Sequence, residues 1–596
     1  MLTELAAYAR EHGLTSEPGF APKSVRWAIW LDEDGKLIDV LDLRTEEGDR
    51  RFPQCPDLQQ GELIAGGETR SHFLVDTLGV VALIGVDDLD EAKRKKAVAK
   101  HDYFVKLLED AGKEYPVLAT CARFLQGEAN LRAVRMRLSA AKAKPTEKVT
   151  FRVGAEFPVS SDEWHAWWRE FRGKLKGDGG GKQRGRMRCL QTGELVEPLK
   201  THPKVKGLAA VGGQASGCVL IGFDKDAFTS YGLEQSANAA VSEGAATAYT
   251  NALNELVRKA DRPIAGTLLI YWYKETVAPE DDPLNWVKGI TGDDSKGEEL
   301  EAIQRAKRLV EGINEGRRPD LARNAFHAAI LSAAGGRVMV RDWMEGTFAQ
   351  IARNALLWFD DLTICTRDGA RLAKDPGLAA IMFSLVRKDL TELPPSLVPE
   401  LWRAAIMGRA IPRFTLTAAV QRIRADMVDP DRAPNHARMG LIKAYHVRRT
   451  RLRGGEDPLK PYLNEEHPSA AYQAGRLMAV LARVQQKALG DVGANIVQRY
   501  YAAASVTPAL VLGRLVTLSK FHLGKLEKGK DKGLAVWFER VISEIMGHLG
   551  DGFPVTLDPE GQSLFALGYY QQMAALYAGK REEEVEDEIK EESTNG

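Results

Sequence analysis

After Val211 the chain reads GGQASGCVLIGFDKDAFTSYGLEQSANAAVSEGAATAYTNALNEL, and no other stretch limits its possible folds so tightly. Gly212, Gly213 and Gly217 open backbone conformations closed to other residues, so a second backbone or a ligand can come close there. Cys218 to Phe223 is an apolar run of strand length. Ser242 is placed to cap a helix in which Ala246, Tyr249, Leu253 and Leu256 fall on one face. No acid, base and nucleophile stand together in this stretch. It predicts a shaped platform with polar tips: Gln214 and Ser216 for contact, and Tyr231, Asn238 and Ser242 with the three glycines as support.

A chain of 596 residues exceeds what one core can organise, and its 28% charged and 44% hydrophobic content suits a soluble, cytoplasmic protein. The 82 basic and 82 acidic residues cancel, so net charge alone points to no partner; their placement is more telling. Arg172 to Arg188 carries seven basic residues and one acidic, and Pro430 to Arg453 repeats that ratio. Lys580 to Glu592 reverses it, with eight acidic against three basic. The five scattered cysteines lack metal-ligand spacing and give no disulfide framework. The amino terminus has no signal-peptide pattern, and no apolar run is long enough for a bilayer.

The pattern predicts an α+β multidomain chain, mixed α/β in its amino-terminal and middle regions and ending in an antiparallel helical bundle. Val25–Leu31 and Lys36–Leu43 read as a hairpin turning at Asp32 to Gly35. His101 to Ala143 reads as mostly helix, and Val149–Val153 as strand. Trp164, Trp167 and Trp168 precede a Gly/Lys/Arg segment. Thr267–Tyr273, Phe326–Leu331 and Arg337–Val340 are strand candidates, and Arg341 to Leu357 reads as helix. Toward the end, Leu477, Val480, Leu481 and Val484 form one helical stripe; Leu534, Trp537, Phe538, Val541, Ile545 and Leu549 form another. Thr507-Pro508 and Asp558-Pro559 each set a cap residue before a proline in a first helical turn. The regions expected are 1–150, a glycine-loop platform over 151–276, a middle region over 297–465, a bundle over 466–580 and an acidic disordered tail over 581–596.

Several motifs admit two readings. Gly179-Gly180-Gly181-Lys182-Gln183 lacks both the first glycine and the Ser/Thr of a phosphate-binding loop, leaving a basic loop whose Lys182, Arg184 and Arg186 could meet phosphates. Arg132 and Arg135 lie on a helix and Arg448, Arg449 and Arg451 before the bundle; each group is either a solvated face or a phosphate contact. The tryptophans read as core or interface, with base stacking as the other reading. His101-Asp102 and the Cys189 and His202 pair are the only hints of hydrolytic chemistry, and neither has a third group. No motif asks for a cofactor or a metal.

In order along nearly the whole chain, WAIWLDEDG, RSHFLVD at Arg70–Asp76, CLQTG at Cys189–Gly193, His202-Pro203, Lys206-Gly207, QASG, SYG, QSANAAVSE, YTNALNEL, RYYAAASVTPA and FALGYYQQ resemble the large subunit of the type I-C CRISPR surveillance complex, Cascade. Leu220 to Phe223 departs from that family's usual ending of the glycine loop, and the acidic tail is additional. The resemblance implies a non-catalytic subunit that inspects the protospacer-adjacent motif of target double-stranded DNA. It would help to open the duplex, hold the displaced single strand and recruit the helicase–nuclease. Its partners would be the guide CRISPR RNA and the backbone subunits, with no membrane. A small subunit is often made from an internal start in the same gene, for which Met478 and Met439 are the candidates, Met478 favoured for its place near the beginning of the bundle's first helix. Gln214 and Ser216 would then contact DNA, with Arg70, Ser71 and His72 as a second group. The competing classes are a free-standing nucleic-acid-binding adaptor and a metal-dependent nuclease using His101, Asp102 or His202.

Overall fold

Two units make up the chain: Met1–Lys259 with Ala333–Met339, and Ala260–Ser332 with Val340–Gly596. The computed structural model describes residues 1–46, 48–59, 62–63, 69–177, 186–288, 298–373, 376–429, 435–490, 492, 495–529 and 532–594. In the first unit, strands β1 (Phe20–Val25) and β4 (Arg50–Pro56) pair antiparallel. Strands β2 (Trp27–Leu31), β3 (Leu37–Asp42), β5 (Asp76–Thr77) and β6 (Lys148–Val153) form a sheet in the order β3-β2-β6-β5. The expected hairpin is β2–β3. Its turn closes where the Gly35 N–H donates to Asp32 O at 3.1 Å, with Gly35 at φ +85°.

Strands β2 and β6 are parallel, so the chain must cross over between them. The chain between them carries β3, β4, β5 and the helices Glu91–Gly112, Pro116–Gln126 and Glu128–Ala140. Asp90 caps the first by accepting from Lys93 N at 2.9 Å, and Pro116 opens the second. Trp164 and Trp168 are fully buried in the same core as the sheet, with Trp168 stacked on Phe73 at 5.6 Å. Those two rings are core.

The first unit also holds the short antiparallel pair β7 (Met187–Arg188) and β8 (Leu195–Val196). In the second unit, β9 (Leu268–Tyr273), β10 (Ala325–Ala334) and β11 (Arg337–Thr347) form a sheet in the order β11-β10-β9, whose two end segments at residues 333–339 belong to the first unit. The helix expected from Arg341 starts only at Phe348. Arg341 to Thr347 extends β11 instead, because pairing in the sheet overrides the local helical pattern. The helix start was visible as Thr347-x-x-Gln350: Gln350 N donates to Thr347 Oγ1 at 3.4 Å and Thr347 N to Gln350 Oε1 at 3.1 Å, a capping box.

Helices dominate from residue 378 onward. Leu477, Val480, Leu481 and Val484 are buried on the helix Ala470–Leu489, as their spacing predicts. That helix meets the last one, Pro559–Thr594, nearly backbone to backbone. A Cβ on Gly568 would stand 2.1 Å from Tyr472 O, and one on Gly475 would overlap Phe565 O. On Lys532–Leu549, Phe538, Ile545 and Leu549 are buried, but Trp537 is 36% exposed and lies off the stripe. Asp558 caps the last helix through Gly561 N at 2.8 Å. Thr507 does not cap; its hydroxyl donates back to Ala503 O at 3.1 Å. The last helix runs through the acidic segment expected to be disordered, which holds Glu, Lys and Arg with no proline or glycine between 580 and 592. Among the described residues no helix is long and apolar enough to cross a membrane.

Candidate nucleic-acid interface

The glycine loop of the first unit is a tight turn on a fixed base. Gly217 N donates to Gln214 O at 3.0 Å, leaving Gln214, Ala215 and Ser216 exposed at the tip. Below the tip, Val205 and Cys218 exchange backbone bonds of 2.7 and 2.8 Å. Val219 N donates to Gly336 O at 2.8 Å and Val338 N to Val219 O at 2.9 Å. The strand expected over Cys218 to Phe223 is therefore only two bridging residues. Its outer partner is a segment more than a hundred residues later, and the chain leaves in bends after Val219. The buried Cys218 thiol locks the base, accepting from Gln214 N at 3.4 Å and donating to Gly335 O at 3.5 Å.

The glycines are required by this close approach. Gly212 and Gly217 take φ +92° and +95°. A Cβ on Gly212 would stand 2.5 Å from Ala333 O, and one on Gly213 2.8 Å from both Cys218 Sγ and Leu208 O. Ser242 caps the helix Glu243–Lys259 as expected, accepting from Ala245 N at 3.2 Å. Asn238 Nδ2 donates to Leu233 O and Gln235 O at 3.2 and 2.9 Å, bracing the segment before that helix. Tyr231 does not brace anything: it is 98% exposed at φ +56°. Tyr231 and the next residue, Gly232, at φ +70°, are both left-handed, a pair of conformations that the glycine accommodates.

The helix Glu243–Lys259 is held by charge. Arg172, first of the basic run, is buried between Glu62 (3.0 Å) and Glu243 (2.6 Å), and Gly19 N donates to Glu243 Oε1 at 3.2 Å. Arg172 is thus internal. Arg186 is exposed, while Lys182 and Arg184 lie outside the described residues. Arg132 is exposed, and Arg135 is half-buried 3.9 Å from Glu128.

The second predicted group divides. Arg70 donates to Glu62 O at 2.8 Å, and Ser71 is 2% exposed, so neither is a ready surface contact. His72 joins a set that sequence spacing does not reveal. Its Nδ1 lies 3.3 Å from Asp57 Oδ1, which also pairs with Lys23 at 3.0 Å. Burial would raise the Asp57 carboxyl, but Lys23 and His72 outweigh it and hold it below its ordinary range. Burial, then Lys23, lowers His72. Lys148 and Lys206 complete this basic locale, and the Lys206 stem lies 3.5 Å from where a Cβ on Gly217 would stand. His72 of the second group and the Gly217 end of the first thus each lie beside a lysine of this locale.

In the second unit the predicted arginines are committed to the protein's own carboxylates. Arg448 is buried, with Nε donating to Asp361 Oδ2 at 3.0 Å and the guanidinium 5.1 Å over Trp358. Arg451 donates to the same carboxylate at 3.1 Å, and Lys443 to Asp361 O at 2.8 Å. Arg449 pairs with Glu560 and donates to Tyr445 Oη at 3.3 Å. Arg448 is answered from inside the fold and lies away from solvent, whereas the Arg451 side chain stays 42% exposed beside its carboxylate. His101 is buried with Nδ1 3.0 Å from Val80 O. Cys189 Sγ accepts from Ser242 N at 3.5 Å and His202 meets Tyr249 Oη at 2.6 Å, so the structure gives the two different partners.

The arrangement offers an exposed amide and hydroxyl on a rigid turn beside ammonium groups. That chemistry suits hydrogen bonding to base edges next to a phosphate chain. Comparison with curated proteins gives no match. A family model described as CRISPR-associated protein (Cas_Csd1) matches residues 2–577, nearly the full length, and on that match the chain belongs to the CRISPR-associated Cas_Csd1 family.

Proposed function

We propose that this CRISPR-associated chain is the non-catalytic large subunit of a type I-C surveillance complex. It works with guide CRISPR RNA and the backbone subunits. Its first unit reads the protospacer-adjacent motif of duplex DNA and helps to part the strands and hold the displaced one, and the complex then recruits the helicase–nuclease. One observation carries the reading: Gln214 and Ser216 stand exposed on a turn whose base is fixed by glycines, a buried thiol and four backbone bonds. A reader of groove edges needs that pairing of reach with rigidity, since a loose loop would spend its binding free energy on ordering. Family membership supports the assembly and the guide.

The test is target binding by the complex carrying Gln214→Ala with Ser216→Ala. Loss of a bidentate or paired base contact costs about 1–3 kcal/mol, so discrimination between motif-bearing and motif-free duplex should fall by roughly ten- to hundredfold. Unchanged discrimination rejects the assignment. A chain that binds duplex equally well alone and never co-purifies with guide RNA would instead be a free-standing adaptor.

A further inference from the structure

Beside the QASG turn, the first unit gathers more positive charge than its own carboxylates answer. Lys23 on β1 is 7% exposed; its ammonium donates to Pro56 O at 2.8 Å and pairs with Asp57 at 3.0 Å. Asp57 also faces His72, so this one carboxylate is taken twice. Lys148, at the start of β6, is half-buried, and among the described residues no carboxylate pairs with it. The groups that act on it are Lys23 and Lys206, of its own sign, and Asp57 and the Cys55 thiol. Lys206 is exposed, its backbone fixed where its N–H donates to Asn254 Oδ1 at 2.7 Å, and its stem rests by Gly217.

Lys148 thus has two ammonium groups of its own sign near it and one carboxylate that is already shared, and partial withdrawal from water makes the repulsion worse. Burial, then Lys23 and Lys206, press Lys148 down to about 8. A bound anion would remove that cost and restore the full charge. Strand pairing to Thr77 fixes the backbone from which the Lys148 side chain leaves.

We propose that Lys148 and Lys206, with Lys23 behind them, form a seat for one backbone phosphate of the target DNA, next to the turn that presents Gln214 and Ser216. The inference rests on the proposed function for its ligand and adds the contact that sets the duplex in register with the reading turn. Phosphate contacts position and base contacts specify, and the two kinds of group stand side by side here.

The experiment uses the full chain within its RNA-guided complex, with Lys148→Met and Lys206→Met singly and together, and duplex binding followed from roughly 50 to 200 mM salt. The double variant should bind more weakly by the same factor on motif-bearing and motif-free duplex, with a log–log salt slope shallower by about 1. Lys148→Arg should keep both. The melting temperature of Lys148→Met should hold or rise, because a like-charge neighbour is removed. An unchanged affinity and slope overturns the seat, as does a fall in melting temperature that accounts for the weaker binding. A change in guide-RNA loading with DNA binding intact also overturns it. If Gln214→Ala with Ser216→Ala loses discrimination while the lysine variants do nothing, only the seat falls. If the unaltered complex does not bind duplex, the seat and the proposed function fall together.

Discussion

At the scale of single residues, Asp361 carries the most. It is 1% exposed and answers Arg448 and Arg451 through its side chain and Lys443 through its carbonyl. Asp361→Ala would strand the buried Arg448 guanidinium, and breaking a buried pair in this way costs about 3–5 kcal/mol. Urea unfolding should show the loss as a lower midpoint with little change in slope. The histidines set a pH limit. Burial pushes His446 and His467 down to about 4, and His446 donates Nε2–H to Ser563 Oγ at 2.8 Å. Both stay neutral in the fold, whereas the unfolded chain takes up protons below about 6.5. The unfolded state therefore binds more protons between about pH 6.5 and 4, and stability falls as pH drops through that window. Each group accounts for at most about 3 kcal/mol. Thermal unfolding from pH 7 to 4.5 should follow this fall, and His446→Gln should flatten it. Positive charge along the chain was legible, but its destination was not, since Asp361 lies 87 residues before Arg448 and spacing carries no partner.

Among the elements, those defined by neighbours in sequence were legible. The β2–β3 hairpin, the caps at Ser242 and Asp558 and the stripe on Ala470–Leu489 each follow from a few adjacent residues. The run from Cys218 was misread because its bridging partner is at Arg337, and β11 was cut short because the sheet extends it past Val340. The internal starts can be weighed at this scale. Met478 is the ninth residue of the helix Ala470–Leu489, so a chain begun there loses Tyr472, Gly475 and Arg476. Those residues supply the Tyr472–Gln571 bond of 2.5 Å, the Arg476–Gln572 bond of 2.9 Å and the glycine contact with Phe565. A chain begun at Met439 keeps all three. Expressed as separate fragments, the one from Met439 should unfold cooperatively and the one from Met478 should melt lower or aggregate; circular dichroism on heating distinguishes them.

At the scale of the molecule, the Gln214–Gly217 turn belongs to a unit assembled from two separated pieces of chain, Met1–Lys259 and Ala333–Met339. The later piece supplies the backbone that Gly212, Gly213 and Val219 require. Sequence reading took the turn as part of a shaped platform and assigned it neighbours only from its own region, because nothing local announces a strand borrowed from so far along. The borrowing has a consequence for manufacture. A ribosome that has released Lys259 must translate about eighty more residues before Met339 exists. At ordinary elongation rates that is a wait of roughly 4–16 s. Through that interval the Cys218 thiol lacks its Gly335 acceptor and Val219 its Gly336 and Val338 partners, so the nascent turn is a place where a chaperone, or a stray strand from another chain, competes with the segment that has not yet emerged.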